Sequence, residues 1–171
     1  MEKMIFKIAK KQTNSYDCLI CGKDNKAGLF APFYETTEGQ VISVFKTKQI
    51  HQSYPERTHG GVVCAMLDEI AGRAVWLTEP DTLAVTGSIT VKYHKPTPLD
   101  TELLAVGQVD KNFSRGFVAS AKIFDKQHNL LAESTGTYIK QKPTVIAKNT
   151  DLTKDLNIFL PDKNEVKIIE W

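Results

Sequence analysis

The chain has 171 residues, enough for one domain with its own core and short of two domains of ordinary size. Its 22 Lys and Arg stand against 20 Asp and Glu, a formal charge of +2 spread along the chain; that excludes a concentrated nucleic-acid-binding face but leaves scattered cations to meet a phosphorylated small ligand. Three cysteines argue against a disulfide framework, and no stretch approaches the ~18 apolar residues of a membrane span, so a soluble, cytoplasmic protein is expected.

Residues 1–17 place Met4, Ile5, Ile8 and Ala9 at helical spacing among lysines, which predicts a short, loosely attached helix as an N-terminal extension. Cys18-Leu19-Ile20-Cys21-Gly22 follows. Zinc would need two further ligands, yet Cys64 lies within an apolar helix and the nearest histidine, His51, is 30 residues on, so no metal is expected and the pair reads as small side chains in a turn. Residues 28–35 and 40–47 read as a hairpin about the turn 36–39, with Pro32 pushing the first strand toward an edge or a bulge. Residues 48–58 are a polar connection without a period.

Residues 59–77 read as a glycine turn feeding the one long helix, which Glu79-Pro80-Asp81 stops. Four strand-like runs follow, approximately 83–94, 101–111, 116–125 and 130–139, separated by turn signals. The pattern β-β-α-β-β-β-β predicts an α+β domain, one antiparallel sheet with one central helix, over residues 18–140. Residues 141–171 are a C-terminal extension with apolar content, including Leu152 to Leu160, but no strong period.

At 100° per residue, Asp68 shares a face with Gly61, Cys64, Ala65, Ala71, Gly72 and Val75, while Val63, Met66, Leu67, Ile70, Ala74 and Leu77 make the opposite, bulky face. The bulky face suits a sheet; the small face admits another backbone or a thin ligand. Glu69 and Arg73, at i,i+4, read as a solvated pair. Asp68 has no such partner: it faces water, finds one in space, or serves chemistry. Gly60 and Gly61 permit close approach of a ligand, and first-turn amides point unpaired donors at whatever precedes the helix. Donors aimed at a carbonyl, with a carboxylate two to three turns on, suit carbonyl polarisation coupled to delivery of water or a proton. Cys64, with His59 as its base, is a rival nucleophile, against the preferred reading of a small core cysteine. Alternation over residues 85–94 puts Thr86, Ser88, Thr90, Lys92 and His94 on one strand face.

His59-Gly60-Gly61 with Asp68-Glu69 and Gly72 resembles the signature of the PaaI-type hotdog-fold acyl-CoA thioesterases, especially the branch of the mammalian THEM-type enzymes. Cys18-x-x-Cys21-Gly22 with Asn25 and Gly28-Leu29, Gln52-Ser53-Tyr54-Pro55, and Val91-Lys92-Tyr93-His94-Lys95-Pro96 extend the likeness over residues 18 to 140. It implies a hotdog fold, in which a curved antiparallel sheet wraps one long helix, and a homodimer or homotetramer with active sites between subunits. It also implies hydrolysis of an acyl-CoA thioester, with no cofactor. By position, the Gly60 N–H is the oxyanion donor, Asp68 the nucleophile or general base, and His59 shapes the turn. Thr86 orients the carboxylate or water, while Gly61, Lys92, Lys95 and Arg115 are candidates for holding the substrate. The chain departs from the pattern at Ser53, where some members have asparagine, and at Glu56-Arg57-Thr58, which make the entrance more polar. A hotdog enoyl-CoA hydratase or dehydratase and a non-catalytic acyl-CoA binder are the alternative functions.

Overall fold

A computed structural model of the chain describes residues 3–146 and 166–171; the stretch from Leu152 to Leu160 lies outside them. In chain order the elements are β1 (Ile5–Lys11), β2 (Tyr34–Thr36), β3 (Val41–Lys46), α1 (Gly60–Arg73), β4 (Leu83–Tyr93), β5 (Glu102–Asn112), β6 (Gly116–Phe124), β7 (Leu130–Gln141), the single turn α2 (Pro143–Ile146) and β8 (Ile168–Glu170). The strands make one antiparallel sheet in the order β4-β7-β6-β5-β3-β2-β1-β8. Among the described residues β4 has a strand neighbour on one side only.

Strict alternation makes both faces of the central strands apolar. Val41 and Phe45 of β3, with Leu103 and Ala105 of β5, point to α1; Ile42 and Leu104 point away, into a second cluster closed by Trp171. Val63, Met66, Leu67 and Ile70 of α1 fill the first cluster, each burial contributing about 2 kcal/mol. The helix seats closely because Gly107 faces it: a Cβ there would stand 2.7 Å from the Ile70 carbonyl oxygen. After Arg73 the helix tightens into a 3-10 turn, Ala74–Leu77, ahead of the predicted stop.

Three local expectations are corrected. The N-terminal segment is strand β1 rather than a helix, because Met4, Phe6 and Ile8 alternate inward onto the second cluster while Lys3, Ile5 and Lys7 do not join it. β8 extends the same edge, with Phe6 opposite Ile169, and Met4 and Trp171 exchange backbone hydrogen bonds of 2.9 and 2.8 Å. Residues 28–33 are not strand. Phe30 has φ 52°, and the amides of Leu29 and Ala31 donate to the carbonyls of Leu19 and Ile20, so the segment packs on the cysteine loop before β2 begins.

The third correction concerns Arg73, which is 6% exposed rather than solvated. Its Nε donates to Glu69 Oε1 at 2.7 Å and its Nη1 to the Thr13 carbonyl at 2.8 Å, while its guanidinium stacks between Phe33 (4.3 Å) and Trp76 (4.9 Å). The ion pair thus fastens the segment after β1 to the end of α1.

On the other side of that helix end, Glu79 accepts from Lys140 Nζ (2.7 Å), Asn112 Nδ2 (2.8 Å) and Thr82 Oγ1 (2.9 Å), joining the post-helix turn to β5 and β7. The Lys140 bond, then the Asn112 and Thr82 bonds, hold its carboxyl at about 2, below the ordinary 4.5. A depressed folded value means a stabilising contribution present above the unfolded value and lost as pH falls toward the folded one. The melting temperature is therefore expected to drop between pH 4.5 and 2, and Glu79→Gln to flatten that part of the profile in a thermal-melt series.

Candidate active site

The approach to α1 is fixed by buried hydroxyls and one histidine. Thr47 and Thr58 share a 2.7 Å hydrogen bond and both reach the Pro98 carbonyl. His51, 5% exposed, accepts from the Lys48 amide at Nδ1 (2.9 Å), so its Nε2–H is the donor to the Ala27 carbonyl (2.8 Å). The His51 carbonyl in turn accepts from the His59 amide at 2.8 Å.

His59 is the N-cap of α1, with φ −61° and ψ 132°. Its Nδ1 accepts from the Gly61 amide at 2.9 Å, and its carbonyl accepts from Val62 and Val63. Gly61 is thereby committed as a donor. Among the described residues nothing accepts from the Gly60 N–H, the first helical amide. The Tyr93 hydroxyl donates to the Gly60 carbonyl at 2.8 Å and fixes that peptide. Around it lies a hollow of about 330 Å³, lined in part by Arg57, Tyr93 and Lys95.

Asp68 stands farther along the helix, half-buried. Thr86 Oγ1 donates to its carboxylate, at 2.9 Å to Oδ1 and 3.1 Å to Oδ2, and the Tyr138 hydroxyl donates to Oδ1 at 3.1 Å. Sequence reading anticipated Thr86 but missed Tyr138, whose ring is nearly wholly buried on β7 and stacks on Phe117 at 4.9 Å. Space for that ring comes from Gly136, where a Cβ would lie 2.9 Å from it. Burial, and then the Asp68 charge, push the Tyr138 pKa up, so the hydroxyl remains a donor. Asp68, Gly72, Trp76, Thr86, Tyr138 and Ile146 line a hollow of about 260 Å³.

The predicted alternation of β4 fails at one point. Thr86 lies opposite Tyr138 and Ser88 opposite Thr137, so Gly87 is an extra residue, a bulge that resets the period. Thr86 therefore shares the helix-facing side with Ala84 before the bulge and with Ile89 and Val91 after it, while Lys92 and His94 fall on the other face.

Lys95 donates to Asn129 Oδ1 at 2.6 Å, at the Gly60 end of the sheet; exposed Lys92, opposite Glu133, is near the same end. Arg115, whose carbonyl accepts from the Lys140 amide, lies at the other end, beside the Asp68 site. One chain does not bring these cations together. Nor does it bring Gly60 to Asp68: eight residues at 1.5 Å each separate them by about 12 Å along the helix. Cys64 sits between the two, with its thiol pushed up by burial and then by Asp68, which opposes nucleophilic use.

A curved antiparallel sheet around one long helix, with a glycine turn at the helix start and a carboxylate two turns on, defines a hotdog protein. Residues 57–132 match the model of the thioesterase superfamily. The chain is similar to the acyl-coenzyme A thioesterase THEM4 of Xenopus laevis, 28% identical over 116 residues, 67% of this chain and 51% of that one. It thus spans about half the length of the curated relatives it matches. Among solved structures, the E. coli PaaI protein of the phenylacetic acid degradation operon superposes with TM-score 0.60 at 18% identity, over 67% of this chain and 81% of that one. A hypothetical thioesterase from Streptococcus pneumoniae, solved with coenzyme A, superposes with TM-score 0.56 at 22% identity, over 60% and 82% of the two chains. These likenesses establish the hotdog fold for the chain and its similarity to thioesterases of that fold. Among the described residues no helix is long and apolar enough to cross a membrane.

Proposed function

We propose that the protein hydrolyses acyl-CoA thioesters at a site completed by two copies of the chain, the Gly60 N–H from one and Asp68 from the other. The observation that carries this reading is the pairing of an unused amide donor with a carboxylate held by two hydroxyls, about 12 Å apart on one helix and beside a strand that, among the described residues, is the edge of the sheet. Two-fold antiparallel pairing of β4 with its copy would set the Asp68 end of one chain, with Arg115, against the Gly60 end of the other, with Lys92 and Lys95. Val85 and Tyr93 are large side chains exposed along that edge. A homodimer is the smallest assembly that completes the site, and a homotetramer would repeat it.

In the proposed reaction the Gly60 N–H, at the positive end of α1, receives the thioester carbonyl oxygen and stabilises the charge that forms there. Asp68, aimed by Thr86 and Tyr138, either attacks the carbonyl carbon or takes a proton from the attacking water; both routes fit the geometry. Collapse of the adduct breaks the carbon–sulfur bond, and water supplies the atoms for the free acid and the coenzyme A thiol. Arg57, Lys92, Lys95 and Arg115 are cations placed to meet the nucleotide phosphates. His59 contributes by holding the glycine turn. The coenzyme A bound to the streptococcal neighbour and the activity named for THEM4 support this substrate class. A cytoplasmic setting belongs to the same reading and rests on three cysteines that form no disulfide.

Free-thiol release from a panel of short, medium, long and aromatic acyl-CoAs tests it. Turnover of at least one class is expected. Tight binding without thiol release would replace the enzyme with a non-catalytic binder, and hydration of an enoyl-CoA without thiol release would replace it with a hydratase.

A further inference from the structure

The cysteine motif takes no part in that chemistry, yet its setting is specific. Residues 14–31 form a loop between β1 and β2 packed against the C-terminal half of α1. Cys21 is 1% exposed and Cys18 partly exposed, and their Sγ atoms lie within 4.8 Å of each other and of a Glu69 carboxylate oxygen. The amides of Ile20 and Cys21 donate to Cys18 Sγ at 3.3 Å each, and the Ser15 amide donates to Cys21 Sγ at 3.4 Å. Asn14 Nδ2 holds the Cys21 carbonyl at 2.8 Å, and the Gly22 amide closes the turn on the Cys18 carbonyl at 2.9 Å. The pair holds its negative charge on Cys21, while the hydrogen bond to Cys21, and then burial, push the Cys18 thiol up.

Two chemistries use such a pair. A zinc ion would take both thiolates and Glu69, but the described residues add no fourth His, Cys, Asp or Glu to the group, and the Glu69 carboxylate already holds the buried Arg73 guanidinium at 2.7 Å, a fixed positive charge beside the place an ion would occupy. Thiol–disulfide exchange needs two close sulfurs, one of them reachable, and a stabilised thiolate, and all three are present.

We propose that Cys18 and Cys21 are a reversible dithiol–disulfide pair that exchanges with low-molecular-weight disulfides. Cys18, the reachable sulfur, attacks one sulfur of the small disulfide, its proton passing to the Cys21 thiolate, and expels the other half as a thiolate that takes a proton from water. Cys21 then gives up its proton and attacks Cys18 Sγ, expelling the second half. One protein thiol, one protein thiolate, one solvent proton and one external disulfide become one protein disulfide and two external thiols. The hydrogen bond from Cys18, and then the Arg73 guanidinium, hold the Cys21 thiol at about 6, so the pair carries a thiolate at neutral pH. Cys64, which lies outside this cluster, serves as an internal contrast.

The test uses the whole chain, incubated with oxidised glutathione, acid-quenched, alkylated and mapped by mass. It reads mass rather than turnover, so its outcome is separable from that of the hydrolase reading. Expected are simultaneous protection of Cys18 and Cys21, loss of two hydrogens with no retained glutathione, reversal by dithiothreitol, and reaction about tenfold faster than at Cys64. Cys18→Ser or Cys21→Ser should instead retain one glutathione on the remaining cysteine. Three results would overturn the proposal: both thiols still alkylated after oxidation, mixed disulfides that accumulate on wild type without closure, or stoichiometric zinc that masks the thiols until chelated.

Discussion

Asp68→Asn is expected to lower kcat/KM for acyl-CoA hydrolysis about 1,000-fold, some 4 kcal/mol of transition-state stabilisation, in a thiol-release assay. The substitution is nearly isosteric. Its amide oxygen can still accept from Thr86 and Tyr138, which reach the carboxylate at 2.9 and 3.1 Å, so the half-buried site keeps its packing and hydrogen bonds. What disappears is the negative charge, and with it both the nucleophile and the base. Because binding relies on other groups, the loss should fall on kcat, with KM little changed. An unchanged kcat would remove Asp68 from the chemistry.

Gly60→Pro is expected to cost about 100- to 1,000-fold in kcat while the fold survives. Proline deletes the one amide hydrogen assigned to the oxyanion, and N1 is the helical position where proline is best tolerated. Its predecessor, His59, already has ψ 132°, the extended conformation a following proline demands. A Cβ at Gly60 would meet nothing nearer than the Tyr93 hydroxyl at 3.5 Å. Far-ultraviolet circular dichroism and melting temperature should match wild type, which separates lost chemistry from lost structure. Gly60→Ala keeps the amide and should retain most of the activity.

What was legible in the sequence and what was not divide along a physical line. The long helix, its bulky face and the four following strands were readable because period and turn chemistry are local. Thr86 was placed beside Asp68 by resemblance, and its hydroxyl does reach that carboxylate. Partners set by tertiary packing were not readable. Tyr138 looks like any strand aromatic, and only the register of β7 against β4, with the glycine-made space around its ring, turns its hydroxyl to Asp68. Glu69 and Arg73 have the spacing of a surface pair, and Phe33 and Trp76 bury the arginine. The Gly87 bulge reversed the predicted face of Lys92, since alternation assumes an unbroken ladder. In β1 the missed signal was present: Met4, Phe6 and Ile8 alternate at strand period, and the helical spacing of Met4, Ile5, Ile8 and Ala9 competed with it.

The separation of Gly60 from Asp68 makes the composite site directly testable by subunit mixing. Gly60→Pro and Asp68→Asn chains, each nearly inactive alone, would be mixed in equal amounts and allowed to exchange subunits, then assayed for thiol release. If each site takes Gly60 from one chain and Asp68 from the other, every mixed dimer regains one intact site, and activity should recover to roughly a quarter of wild type. Mixed dimers that form but recover no activity would contradict the account.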